Sequence, residues 1–353
     1  MSPKSPASSE PALLRTLNRR IVLRTLRDST SLETLAELAK KTGISRPTVE
    51  AALAELVERQ WVEELAPSIH STGRLGRPAK RFRFRNDFGI LVGLDIGVHK
   101  ILVRIADTRG AKVHEHRTDL AGDPARALTI ELVVETVRAA LREAGHVNSP
   151  IWALGCGLPG VVSADGVLAR SVVVPDWVGR NIGEQLSTRL KTTVLVENDA
   201  NLATLAEHKA GAAGGAGSAI VVTTGRRISA GLIIGNTLLR GRHGAAGEIG
   251  TLDVMRWNEA PGISEIGGFG QALGMGLSAL VLAVDPEVVI IQGQFSGKET
   301  ALLDAVRAEL KRNCIFVPML QLSPLGSTAV ATGGVELAKE HFESQTLQLA
   351  SLD

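Results

Sequence analysis

The 353-residue sequence contains no tyrosine, seven phenylalanines and four tryptophans. Its cores must therefore be aliphatic, and a hydrophobic fraction of 44% supplies them amply. Only two cysteines occur, Cys156 and Cys314, far apart and outside any metal-ligand spacing. That excludes a disulfide framework and a cysteine-based zinc site. No run of eighteen apolar residues is present, so no membrane-spanning helix and no membrane partner are expected. The opening "MSPKSPASSEP" lacks the apolar region of a secretion signal, and residues 1–10 read as a loose cytosolic tail.

Net charge is small, +2, but unevenly placed. Residues 1–86 hold 16 Lys or Arg against 9 Asp or Glu, a net +7; the remainder holds 23 against 28, a net −5. A basic head on a mildly acidic body suggests that only the head meets a polyanion. A solvated basic surface is the plainer alternative, and charge alone does not decide between them.

The head has a legible pattern. "PALLRTLNRRIVLRTLRD" puts Leu13, Leu14, Leu17 and Ile21 on one helical face, with Leu23 and Leu26 straying from it. Next comes "SLETLAELAKKTGISRPTVEAALAELVERQWVEEL". Leu35 and Leu38 belong to a short helix, Gly43 supplies a tight turn, and Ser45 is a helix N-cap. Val49, Leu53, Leu56 and Val57 then form the apolar stripe of a second helix. Helix, glycine turn and capped helix make a helix-turn-helix. Its second helix offers Ser45, Arg46, Thr48 and Glu50 where base edges are usually met. Arg46 suits a guanine or a phosphate, and Glu50 a cytosine amino group. An ordinary helical hairpin remains the simpler reading of the same spacing.

"WVEEL" and "KRFRFR" alternate as two strands of a wing. Between them Arg77, in a Gly-Arg-Pro stretch, is placed to enter a narrow minor groove. Arg74, Lys80, Arg81, Arg83 and Arg85 add phosphate attraction. The head, residues 11–86, thus reads as a winged helix-turn-helix, with a disordered basic linker as the alternative for the Arg-rich part. From residue 87 strand hairpins and alternating helices run through two cycles. The implied architecture is α/β with two similar lobes, the first about 87–198 plus the C-terminal helix and the second about 199–325.

Five stretches, "VGLDIGVHK", "GLPG", "ENDAN", "RGRHGAAGEIG" and "LVLAVDPEVVIIQG", follow one another in an order that resembles the ROK family of repressors, open reading frames and kinases. The resemblance covers nearly all of the chain beyond the first ten residues. It implies an actin-like, sugar-kinase-type ATPase fold for the body and a winged helix-turn-helix at the N-terminus. Asp199 matches the family's catalytic base. Asn198, Glu248 and Glu265, with the backbone around Pro159 and Gly160, match sugar-binding positions.

Departures from the family pattern shape the functional expectation. Val98 and His99 replace two phosphate-loop residues, and "GRRISAG" puts Arg227 and Ser229 where glycines stand. Glycines are required where backbone N–H groups approach phosphate closely, so ATP binding is expected to be weak or lost. "GQF" from Gly293 replaces a glycine run that helps hold adenine. The family's zinc-binding histidine is Thr251, its cysteine cluster is missing (Ile263 stands near its last member), and a sugar-contacting Asn is Val173. Singly, the retained residues have plainer readings: "ENDAN" as a strand end and helix cap, Glu248 as a partner of backbone N–H groups, and His243 as a loop histidine.

Together these features predict a DNA-binding regulator, a repressor without catalytic residues, cofactor or metal. Its expected partners are a double-stranded operator, bound as a homodimer or dimer of dimers, and a sugar or sugar-derived effector. The alternatives are a sugar kinase with an added DNA-binding domain, and a regulator that has lost sugar binding and answers to a protein partner.

Overall fold

The computed structural model describes residues 10–66, 79–97, 99–120, 128–224, 228–252 and 265–346. Arg74, Arg77, Val98, Arg227 and Ile263 lie outside them. The chain forms two compact units: Met1–Ile90 with Asp107–Arg109 and Glu340–Asp353, and Leu91–Ala106 with Gly110–Lys339.

The first unit contains α1 (Glu10–Asp28), β1 (Glu33–Thr34), α2 (Leu35–Thr42), α3 (Arg46–Glu58), β2 (Val62–Leu65) and β3 (Arg81–Phe84). Thr34 and Glu37 close a reciprocal capping box at the start of α2: the Thr34 hydroxyl accepts from the Glu37 N–H, and the Glu37 carboxylate accepts from the Thr34 N–H at 2.7 Å. Gly43 ends α2 in the left-handed region, φ +69°, and Pro47 sits in the first turn of α3.

Three expectations for this unit need correction. Ser45 does occupy the N-cap of α3, but its hydroxyl meets that of Thr48 at 2.8 Å and caps no backbone N–H. In α1 the buried residues are Val22, Leu23 and Leu26, whereas Leu13 and Leu14 are 65% and 58% exposed. Periodicity tells which residues share a face; it does not tell which length of a helix meets a partner, and α1 packs through its second half. The wing sheet has three strands, not two, because β3 pairs with β1 as well as with β2. Near the chain's end, Phe342 stacks on Trp61 with ring centres 6.1 Å apart, and Glu343 pairs with Arg27.

The second unit runs β4 (Ile90–Ile96), β5 (Lys100–Ala106), β6 (Lys112–Asp119), α4 (Ile130–Glu143), β7 (Ile151–Leu158), β8 (Val161–Val162), β9 (Leu168–Arg170), α5 (Ile182–Leu190) and β10 (Val194–Asn198). It continues with α6 (Asp199–Ala210), β11 (Ser218–Thr224), β12 (Ile228–Ile234), β13 (Thr237–Leu238), α7 (Ile266–Val284), β14 (Val288–Gln292), α8 (Glu299–Asn313), β15 (Met319–Leu322) and α9 (Ala329–His341). The two five-stranded sheets have the orders β6-β5-β4-β7-β10 and β13-β12-β11-β14-β15. Read from each first strand both are 3-2-1-4-5, an antiparallel meander extended by strands with helical crossovers. One supersecondary plan is therefore used twice.

Apolar runs such as the Val-Val-Ile-Ile that leads Val288–Gln292 build strands buried on both faces. The nineteen residues of α7 carry no charge, and by length and composition this helix is apolar enough to cross a membrane. Glycines, Gln271 and Ser278 interrupt it, so it holds no unbroken run of eighteen apolar residues. Its Phe269, Leu273, Leu277 and Val281 enter the core beneath α8.

Candidate functional site

The "ENDAN" stretch forms a strand-to-helix corner in which most polar atoms are engaged. Asn198 caps α6: its side-chain oxygen accepts from the Asn201 N–H at 3.0 Å, and its amide nitrogen donates to the Gly160 carbonyl at 2.9 Å. Among the described contacts the second amide hydrogen of this buried side chain is not engaged. Buried Glu197 accepts from the Asn198 N–H and the Asn201 side chain, each at 2.9 Å, and its other oxygen accepts from Arg240. Gly160 contributes its carbonyl through the "GLPG" turn, and Ser171 steadies that turn by donating to the Pro159 carbonyl at 2.6 Å. Val173, in the place of a sugar-contacting Asn in the family pattern, donates its backbone N–H to the Ser171 hydroxyl at 3.1 Å.

Asp199, at the head of α6, accepts from the Ala200 N–H at 2.8 Å. Its carboxyl is pushed up to about 7, first by burial and then by the charge of Asp95, with Glu248 adding to the effect. Asp95 is buried at the end of β4, where burial raises its carboxyl and the Lys100 ammonium at 3.2 Å opposes the rise. Lys100 also donates to the Ser327 carbonyl at 2.6 Å. Two further carboxylates, Asp95 and Glu248, thus act on Asp199. Asp95 was not singled out in the sequence, although a lone acid inside the apolar run "ILVGLDI" is itself a signal.

Glu248 arrives on the glycine-rich loop after β13. The loop is braced at several points: the Ala246 N–H donates to the Arg240 carbonyl at 3.2 Å and the Ala230 N–H to the Gly247 carbonyl at 2.9 Å. Gly247 has φ +84°, and a Cβ there would stand 1.7 Å from the Ala230 carbonyl oxygen. Only glycine lets the loop lie on β12 at this point. Glu248 follows, half-buried, at the head of a short 3-10 turn, Ile249–Thr251.

Thr251 closes that turn by donating its hydroxyl to the Glu248 carbonyl at 2.8 Å. It offers no imidazole, and Cys156 and Cys314 sit in β7 and just after α8, so the donors present do not fit the family's tetrahedral zinc. Glu265 stands exposed at the head of α7, and among the described contacts none joins it to Asp199 or Glu248. On the side matching the family's phosphate loops, Ser229 lies in β12 opposite Thr223. In "GQF", Phe295 is buried in the core and its ring lies 2.6 Å from where a Gly293 Cβ would be.

In the first unit, Arg46 and Glu50 are exposed on α3 and Thr48 is half-buried. A concavity of about 480 Å³ opens beside α3, with Arg46, Glu50 and Lys80 among its polar lining and Leu53, Val57 and Phe82 among its apolar lining. Lys80 pairs with Glu64 at 2.8 Å, Arg83 pairs with Glu63 at 2.7 Å, and Arg81 is exposed on β3. Such surface pairs are weak.

Residues 91–261 match the model of the ROK family, and residues 21–66 match that of the IclR helix-turn-helix domain. The xylose repressor of Bacillus subtilis (strain 168) is 22% identical over 386 aligned residues, covering 95% of this chain and 98% of the relative. A putative xylose repressor of Caldicellulosiruptor sp. (strain Rt8B.4) is 25% identical over 243 residues, 69% of this chain. That match spans about 60% of the relative's own length. Among solved structures, a ROK family transcriptional regulator, a homolog of the E. coli MLC protein, superposes with a TM-score of 0.72 at 15% identity, covering 95% of this chain and 98% of that one. The repeated 3-2-1-4-5 sheets, the helix-turn-helix ahead of them and these matches agree: the chain carries a ROK family domain, preceded by an IclR-type helix-turn-helix domain.

Proposed function

We propose that this protein is a cytoplasmic, sequence-specific DNA-binding regulator, a repressor, whose body binds a sugar or sugar derivative and does not transfer phosphate. The observation that carries the reading is the pairing of two features in one chain. A helix-turn-helix presents Arg46 and Glu50 to solvent, and in the body Asp199, beside the Asn198 cap of α6, has its carboxyl raised by burial and by the charges of Asp95 and Glu248. Relatives named as xylose repressors share both parts of the chain.

In this reading Arg46, Thr48 and Glu50 meet base edges in the major groove, while Lys80 and Arg81, with Arg74 and Arg77, meet the backbone. Asp199, Glu248 and the free amide hydrogen of Asn198 hold sugar hydroxyls. Glu265, exposed at the head of α7, is the further carboxylate of this reading. Asp95 and Glu248 disfavour the charge of Asp199 unless hydroxyl donors or protons offset it, which favours a polyhydroxy ligand. Effector binding regulates only through a difference in affinity between two arrangements of the protein.

The test is selection of genomic fragments by the full chain, followed by titration of D-xylose and a panel of other sugars against the complex. Salt-dependent binding to a discrete fragment, weakened by one sugar, supports the reading. Absence of fragment enrichment overturns its DNA half. Enrichment with no response to any sugar points to the protein-partner alternative.

A kinase is the second reading, favoured by one observation: a carboxyl titrating near 7 suits the base that accepts a sugar hydroxyl's proton. Against it stands Phe295, buried in the stretch where the family pattern has a glycine run for adenine. ATP-dependent sugar phosphorylation abolished by Asp199→Asn would establish the kinase and remove the claim that no phosphate is transferred.

A further inference from the structure

Strands β7 and β10 run parallel, and the Asn198–Asp199 corner stands at their C-terminal ends. At their other ends, helices α4 and α5 finish beside each other. Arg138 of α4 donates to the Arg189 carbonyl in the last turn of α5 at 3.4 Å. A hollow of about 460 Å³ opens between these helix ends and the start of β7.

Four cations line the hollow, Arg138, Arg142, Arg189 and Lys191, and no carboxylate does; Leu141 and Leu190 are among its apolar lining. Such a concentration of one sign runs against the body as a whole, whose residues 87–353 hold 23 Lys or Arg against 28 Asp or Glu. Arg142 pairs with Glu135 at 2.6 Å and Arg189 with Glu131 at 3.3 Å. All four of those side chains are exposed, so the pairs are weak. Among the described residues, Arg138 has no carboxylate within ion-pair distance and the Lys191 ammonium has no partner.

The backbone of Lys191 is a second, independent signal. It closes α5 with φ +53° and ψ +44°, in the left-handed region. Glycine or asparagine ordinarily takes that place, because a longer side chain is strained there. Strain held by a side chain that bonds nothing inside the protein points to a partner outside it.

We propose that this hollow binds a small phosphate monoester. A phosphate dianion has three acceptor oxygens, which several guanidinium and ammonium donors can share; a carboxylate has two. The hollow is larger than a bare phosphate needs, and its apolar lining suits the organic part of an ester. A long polyanion is disfavoured, because the net negative body around the hollow repels it.

Calorimetric titration of the full chain with glucose 6-phosphate, adenosine 5′-monophosphate and inorganic phosphate tests this, at about 50 mM salt where screening is modest. At least one ester should bind, one per chain, with a dissociation constant below about 1 mM. Arg138→Gln and Lys191→Gly should each weaken that ester about 5- to 10-fold, and Lys191→Arg should keep most of the affinity. Lys112→Gln, which removes an exposed cation of β6, should change nothing. In Lys191→Gly the melting temperature should hold or rise while the affinity falls, since glycine takes this backbone conformation without strain. A purely structural role for Lys191 would leave the affinity where it was. Failure of both esters to bind overturns the proposal. So does an affinity unchanged in Arg138→Gln and Lys191→Gly, or inorganic phosphate binding as tightly as the esters. An ester lost in Asp199→Asn and kept in Arg138→Gln sits in the sugar corner, which equally overturns it.

Discussion

Arg240 donates its guanidinium Nε–H to the carboxylate of Glu197, 43 residues earlier in the chain. Arg240 begins the glycine-rich loop that carries Glu248, and Glu197 immediately precedes the Asn198–Asp199 corner. The pair therefore fixes the distance between the two halves of the proposed sugar site. Glu197 is buried, whereas the Arg240 side chain is about half exposed. Arg240→Met leaves the carboxylate with its Asn198 and Asn201 bonds but without its cation. A loss of about 2 kcal/mol is expected, the scale of a hydrogen bond to a charged group rather than of a fully buried pair. Urea unfolding measures it, and a variant as stable as the wild type would show that the pair does not brace the loop.

Asp199 makes stability depend on pH in an unusual direction for a carboxylate. Its folded-state value near 7 lies above the ordinary 3.8, because burial and the neighbouring acids disfavour its charge. Below about pH 4 it is protonated in both states. Between about 4 and 7 the unfolded chain releases the proton and the folded chain holds it, so stability falls as pH rises and levels off above 7. Asp199→Asn should remove this slope and stabilise the protein at pH 8 by about 1–3 kcal/mol, solvent access reducing the full shift. Unfolding curves at pH 5 and pH 8 decide the matter; a slope that survives in the variant assigns the titration to another group.

Two glycines with similar positive φ should respond differently to alanine. At Gly43, in the helix-turn-helix turn, an added Cβ meets nothing within 4 Å. Gly43→Ala should cost only the left-handed backbone strain, about 1 kcal/mol. At Gly247 the added carbon runs into the Ala230 carbonyl, and relief requires the loop to leave β12. Gly247→Ala should cost at least about 3 kcal/mol and displace Glu248. Comparable losses in thermal unfolding for the two variants would contradict this account of the loop.

How far the sequence could be read follows from the range of the interactions involved. The helix-turn-helix is local: Gly43, Pro47 and the stripe Val49, Leu53 and Leu56 lie within fourteen residues, and each acts through its own backbone or its own helix. The doubled lobe plan was visible for the same reason, because strand and helix periodicities repeat. What escaped was non-local. Nothing in Leu13 and Leu14 says that α1 packs only through Val22, Leu23 and Leu26. The two-residue strand Glu33–Thr34 exists only because β3 lies beside it. In "ENDAN" the residue types suggested ligand contact, yet Asn198 uses its oxygen and one N–H on Asn201 and Gly160. Arg240 carried no signal at all, because its role depends on a carboxylate brought to it by the fold.

The first turns of α3 yield a prediction that separates base reading from phosphate gripping. Arg46 and Glu50 are both exposed there and differ in sign. If Arg46 holds a guanine, Arg46→Ala costs about 1–3 kcal/mol on the selected fragment and leaves a scrambled duplex nearly unaffected. If it holds a phosphate, both duplexes weaken together and the salt dependence loses about one unit of slope. Glu50 is repelled by the backbone and helps only by accepting from a base. Glu50→Gln should therefore tighten binding to the scrambled duplex while relaxing discrimination at one position of the site. Fluorescence anisotropy at several salt concentrations on both duplexes resolves these outcomes. If neither variant changes affinity for either duplex, α3 is not the element that enters the groove.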